Sequence, residues 1–245
     1  MAGWAKVALV ALGLALGPAP AARAQTGEPV PVDLELVLLV DVSGSVDQRE
    51  YALQMLGLAA AFRDPEVHAA LEATGERGIA VCLVHWAGNR QQVVVADWTP
   101  LADPAGALSF AERIEVVPRR LIGETAIGDA LQFAITALET SGFAGFRQVI
   151  DISGDGPTNA GRQPAPVRDA AIAAGITING LAIVNEVADL DQYYREHVIG
   201  GPDAFLIVAD DYHAFAQAIR DKLIREIGGA ALASSEAPVR VLARR

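Results

Sequence analysis

Cysteine is almost missing from this chain: Cys82 is the only one in 245 residues. A disulfide framework is therefore excluded. Cys82 stands in the middle of IAVCLVHW, where a small buried apolar residue is expected rather than a reactive thiol. Positive charge is also short. There are 19 Lys and Arg against 30 Asp and Glu, a formal net charge of −11. An acidic surface of this kind argues against nucleic acid and anionic lipid as partners and suits the attraction of cations. The Gly-rich phosphate loop with Lys-Ser/Thr is absent, as is the Gly-x-Ser-x-Gly nucleophile elbow. There is no internal repeat. Beyond the N-terminus, no apolar run approaches the ~20 residues needed to span a bilayer.

The N-terminus reads as a secretory signal peptide. Lys6 supplies the positive region, Val7 to Leu16 the apolar core, and Ala22-Arg23-Ala24 a small-x-small cleavage signal. Cleavage is expected after Ala24, and Gln25 in place of Cys argues against lipid attachment there. Residues 1–24 carry Lys6 and Arg23 and no acid, so their removal takes the net charge to −13. The expected organisation is signal peptide 1–24, linker 25–33, one domain 34–227 and a flexible tail 228–245. The expected location is the periplasm or the exterior, with no membrane span after cleavage.

Short apolar segments alternate with helix-patterned ones. Strands are expected at 34–40, 79–86, 92–97, 148–152, 176–184 and 205–208. The second and third are joined by Ala-Gly-Asn-Arg, a hairpin connection that makes one strand antiparallel. Helices are expected at 46–62, from Asp103-Pro104 onward, and at 126–139, 164–174 and 211–226. This alternation predicts an α/β, doubly wound, mostly parallel sheet with helices on both faces and the antiparallel strand at an edge. LELVLLV is apolar on both faces, as two-sided burial requires.

In such sheets ligands bind beyond the carboxyl ends of the strands. Asp41-Val42-Ser43-Gly44-Ser45 follows the first strand and Ser153-Gly154-Asp155-Gly156 the fourth, while Gly123-Glu124-Thr125 precedes the 126–139 helix. These loops offer carboxylates and hydroxyls, with no His or Cys. All are oxygen donors, the ligand chemistry of a hard cation such as Mg²⁺. The bland alternative is helix capping, since Ser45-x-x-Gln48 has the spacing of a capping box and Asp47 can also serve the helix start. Capping explains neither Asp41 and Ser43 nor the two distant loops. Asp151, inside the fourth strand, is expected to be hydrogen-bonded in place and outside the site. His85 with a loop serine and Asp155 would sketch a hydrolytic triad, but no nucleophile elbow accompanies it. A phosphatase-type site usually has a second Asp two residues beyond the first, where this chain has Ser43.

The D-x-S-x-S motif, the Thr before a mid-domain helix and the Asp-Gly after the fourth strand together resemble a von Willebrand factor A (VWA) domain with its metal-ion-dependent adhesion site. DISGDGPTN, ITINGLAI and YYREHVIGGPDAF further resemble a bacterial exported subgroup, domain of unknown function 1194. The resemblance implies a six-stranded sheet with one antiparallel edge strand. It also implies a metal site of Asp41, Ser43, Ser45, Thr125 and Asp155, filled by Mg²⁺ with Mn²⁺ or Ca²⁺ as substitutes. The implied role is protein binding outside the cytoplasm, without catalysis, a partner's Asp or Glu completing the metal shell. A Mg²⁺/Mn²⁺-dependent hydrolase and a structural subunit whose metal only stabilises the fold stand as alternatives. One position departs from the family pattern: Glu124 stands where Gly commonly precedes the Thr. A carboxylate there would raise cation affinity or occupy the position of the partner's acid.

Overall fold

A computed structural model describes residue 1, residues 27–229 and residues 239–241. The signal-peptide expectation and most of the C-terminal tail lie outside the described residues. Among the described residues, seven strands and seven α-helices follow one another as β1 Val30–Asp41, α1 Gln48–Phe62, α2 Pro65–Ala73, β2 Ile79–Trp86, β3 Gln92–Leu101, α3 Pro104–Glu115, α4 Ile127–Glu139, β4 Phe143–Gly154, α5 Pro164–Ala173, β5 Thr177–Ile183, α6 Leu190–His197, β6 Leu206–Ala209, α7 Phe215–Gly228 and β7 Val239–Val241. They form one sheet in the order β3-β2-β1-β4-β5-β6-β7. Among the described strands only β3 runs antiparallel, paired with β2 at the edge. The mostly parallel six-stranded sheet expected from the sequence is present, and the short β7 extends it by one parallel strand beside β6.

Strand β1 lies inside the sheet, between β2 and β4, and both of its faces are apolar. Leu36, Leu38 and Val40 join a core with α1, α2, α3 and α7. Val37 and Leu39 join the opposite core with α4, α5 and α6. Every residue of β2 is buried, whereas β3 is half exposed, as an edge strand is. Chain order reverses between β1 and β4, with β2 on one side of β1 and β4 on the other.

Element edges differ from the pattern-based expectation where burial is one-sided or missing. β1 and β4 begin at Val30 and Phe143, which pair with each other beyond the core. Exposed positions there, including Val30 and Phe146, carry no burial signal for periodicity to detect. Two helices escape the pattern altogether. Helix α2 buries only Val67 and Leu71, and α6 only Leu190 and Tyr194. The start of α2 does have a signal: Asp64 caps it and Pro65 opens it, the same device that Asp103 and Pro104 use for α3.

An ionic cluster lies between α7 and the sheet. Lys222, fully buried, donates from Nζ to Glu226 at 2.6 Å and pairs with Asp151 at 2.9 Å. Asn179 of β5 donates to the same Glu226 oxygen at 3.0 Å. Asp151 is thus held in place by α7, as expected of an acid inside a strand.

Candidate metal centre at the sheet's switch point

Asp41 is the last residue of β1 and is completely buried. Its Oδ1 accepts the Ser43 N–H at 2.7 Å, which turns the chain back over the strand end. Gln54 of α1 holds the Asp41 carbonyl at 3.0 Å, and the Trp86 carbonyl at the end of β2 accepts the Val42 N–H at 2.9 Å. The Ser43 and Ser45 hydroxyls then lie 3.2 Å apart. The helix cap that follows is Asp47, which forms a capping box with Glu50. The spacing Ser45-x-x-Gln48 is therefore not the cap. Ser45 instead donates to Asp155 Oδ1 at 2.7 Å, across 110 residues of chain.

The second loop arrives from the other side. The Gly123 carbonyl accepts the Gly44 N–H at 2.7 Å, and Thr125 Oγ1 lies 3.4 Å from Ser43 Oγ. Asn159 and Thr125 lock the second loop to the third. The Thr125 N–H donates to Asn159 Oδ1 at 2.8 Å, and the Asn159 N–H donates to the Thr125 carbonyl at 2.9 Å. Asp155, just past β4, is buried, and its Oδ2 accepts the Tyr212 hydroxyl at 2.9 Å. All five residues singled out in the sequence, Asp41, Ser43, Ser45, Thr125 and Asp155, meet at one place. Asp151 does not join them, being paired with Lys222.

The electrostatics of this cluster are unbalanced. Burial, followed by the charge of Asp155, pushes the Asp41 carboxyl up to about 7, against the lowering effect of Ser43 and of the Asp155 N–H. Asp41 Oδ2 is buried without a hydrogen-bond partner. The Arg119 guanidinium, beside the first loop, spends its donors on backbone. Its Nη2 reaches the Val42 and Ser43 carbonyls at 2.9 and 2.7 Å, and its Nε the Leu121 carbonyl at 3.3 Å. Arg119 thus ties the second loop to the first without neutralising either carboxylate. Three hydroxyls and two carboxylates facing one another, with charge uncompensated, are chemically matched to a hard divalent cation.

Close packing behind the site explains Gly154. A Cβ there would sit 2.7 Å from the Tyr194 hydroxyl and 2.9 Å from Asp41 Oδ2. His85 is buried beside Tyr51, ring centroids 5.5 Å apart, and neither of its ring nitrogens has a hydrogen-bond partner. It hydrogen-bonds to no serine of the site, so the hydrolytic triad is not assembled. Glu124 is exposed.

Four supporting residues were not anticipated: Gln54, Arg119, Asn159 and Tyr212. Asn159 lies in DISGDGPTN, four residues beyond Asp155, but its type and position alone assign it no role. Gln54, Arg119 and Tyr212 reach the loops from elsewhere in the chain, and nothing in their local sequence marks them.

Residues 31–231 match the family model described as "Protein of unknown function (DUF1194)". The chain belongs to that family. The description names no activity. No curated protein matches the chain. In fold this DUF1194 member is a VWA-like domain, and its solved structural neighbours carry that architecture. Proximal thread matrix protein 1 from the mussel byssus, in a structure with a zinc-occupied MIDAS motif, matches with TM-score 0.56 and 15% identity over 81% of this chain and 46% of its own. The pilus adhesin SpaC from Lactobacillus rhamnosus GG matches with TM-score 0.53 and 15% identity over 83% of this chain and 31% of its own. The chain spans less than half the length of these neighbours.

Proposed function

We propose that this DUF1194 protein is an exported, cation-dependent protein-binding module. Ser43, Ser45 and Thr125 would supply hydroxyl ligands, and Asp41 and Asp155 the negative charge, for Mg²⁺, with Mn²⁺ or Ca²⁺ as substitutes. The bound cation would offer an acceptor site for an Asp or Glu carboxylate of a partner protein. Asn159, Tyr212 and Arg119 would hold the three loops in register. The observation that carries this reading is the meeting of five oxygen-bearing side chains around a buried Asp41 oxygen that has no partner. The zinc-occupied MIDAS motif of the byssus protein and the adhesin role of SpaC support it by analogy of fold. The signal-peptide pattern read in residues 1–24 of the sequence supports export. A non-catalytic role is favoured by His85, whose ring nitrogens hydrogen-bond to neither serine of the site.

Calorimetric titration with Mg²⁺ and Mn²⁺, wild type beside Asp41→Asn, tests the site. Saturable one-site binding is expected in the wild type, with at least a tenfold loss in the variant. Equal binding by both proteins would remove Asp41 from the site. If a cation binds and raises stability yet no protein partner responds to chelation, the metal is structural. Glu124→Gly separates the two roles open to that residue: weaker cation binding if it adds charge to the site, tighter partner binding if it blocks the open position.

A further inference from the structure

The rim around the candidate site is two-sided. On the α1 side stand Asp47, Glu50 and Glu186. The Asp47 N–H donates to Glu50 at 2.8 Å, and Asn185 bridges from the loop after β5 to the other Glu50 oxygen at 3.3 Å. Burial raises the Glu50 carboxyl above its ordinary value, and the charges of Asp47, Asp155 and Glu186 add to the rise, against the Asp47 N–H. Glu50 therefore lies in the same negative field as Asp155, and Glu186 beside it is exposed. Arg49 is the basic residue on this flank, and it turns to His213 at 3.5 Å. The second flank is the segment 116–124, anchored by the Val117 carbonyl, which accepts the Tyr51 hydroxyl at 2.6 Å, and by the Gly123 carbonyl, which accepts the Gly44 N–H at 2.7 Å. It presents Ile122, 71% exposed, Val116, 77% exposed, and the exposed Arg120 and Glu124. A cation at the site would cancel the charge of Asp41 and Asp155 and leave this contrast standing: net negative on one flank, and on the other exposed apolar side chains with the opposite charges of Arg120 and Glu124.

We propose that the partner is a protein segment whose metal-binding Asp or Glu is flanked by Lys or Arg on the side crossing Glu50 and Glu186, and by an apolar side chain on the side meeting Ile122. The flanking pair gives specificity and direction, because a reversed segment would set its basic residues over Arg120 and its apolar residue over carboxylates. This inference rests on the cation-dependent reading above, and its test is arranged so that the two can fail separately.

The probes are labelled synthetic peptides with a central Glu. The first has two Lys on one side and Leu-Leu on the other. The second replaces Lys by Glu, the third replaces Leu by Ser, and the fourth replaces the central Glu by Gln. Anisotropy is read against the protein with Mn²⁺ and with chelator. The first peptide is expected to bind about tenfold tighter than the second and the third. Glu186→Lys, at an exposed position, should erase most of the gap between first and second. Glu50→Gln provides a milder change in case the capping box is needed for folding, and Ile122→Ser should erase the advantage over the third. Equal, metal-dependent binding of the first three peptides would overturn the rim proposal and leave the cation reading intact. Flank preference that persists with chelator or with the Gln peptide would keep the rim and overturn the cation reading. Binding by none of the peptides would overturn the proposal outright.

Discussion

At the scale of single residues, His85 is the clearest case of a side chain whose chemistry is set by its surroundings. Burial, then the charges of Arg119 and Arg120, pulls its imidazole down to about 4. The unfolded chain would bind that proton near pH 6.5, so between those values the unfolded state holds more protons than the folded one. The stability that neutral His85 contributes is therefore complete above pH 6.5 and is lost as pH falls toward 4. Asp41, raised to about 7, acts in the opposite sense, its protonated form being favoured by folding as pH falls. Comparing wild type with His85→Phe isolates the histidine. The wild type should lose about 3 kcal/mol relative to the variant between pH 7 and pH 4, measured by urea unfolding across that range. Parallel pH profiles would mean that His85 keeps an ordinary proton affinity. Among the site residues, the D-x-S-x-S group was legible in the sequence because its members share five consecutive positions. The short separation lets a turn bring Asp41 and Ser43 together, as the 2.7 Å bond between them shows. Tyr212 was not legible, since it reaches Asp155 from 57 residues away and its neighbours in sequence say nothing of that contact.

At the scale of elements, α7 shows how a helix can be read correctly and its fastening missed. Phe215, Ile219 and Leu223 recur every four residues and mark the buried face. The same face also buries Lys222 and Glu226, which a hydropathy pattern assigns to solvent. They are tolerated because each meets an opposite charge or an amide across the sheet. Removing the ammonium alone leaves Asp151 and Glu226 buried and facing each other. Lys222→Met should cost about 3–5 kcal/mol in chemical unfolding, whereas replacing the three charged residues together by apolar ones should cost far less. A single-variant loss below about 1 kcal/mol would show that the cluster is already neutral as a pair with shared protons. The capping of α1 repeats the lesson at smaller size. Ser45 and Asp47 both qualified as caps by type, and only the position of Asp155 determined that Ser45 would be used elsewhere.

At the scale of the whole molecule, the fold and the site are linked by the order of strands. A cation bound only by the folded arrangement stabilises it by mass action. At a concentration about one hundred times its dissociation constant the gain is about 2.7 kcal/mol, which for a domain of this size corresponds to a rise in Tm of roughly 5–11 °C. The rise should appear in scanning calorimetry with Mg²⁺ or Mn²⁺ and vanish in Asp41→Asn. A rise of equal size in both proteins would place the stabilising cation at another location on this acidic chain.

The amino-acid sequence by itself determined six strands and five helices, the α/β class, the single antiparallel hairpin and the oxygen-bearing side chains at the strand ends. These depend on local periodicity, turn chemistry and side-chain type, all of which act within a few residues. Tertiary structure alone decided that β4 lies against β1, so that Asp155 meets Ser45 and Thr125 meets Ser43. It also decided that Gly154 must carry no side chain, that Arg119 ties two loops together, and that the rim has an acidic and an apolar flank. The physical reason is that each of these results from packing between segments far apart in the chain, where complementarity of shape and charge is set by the partner surface rather than by neighbours in sequence.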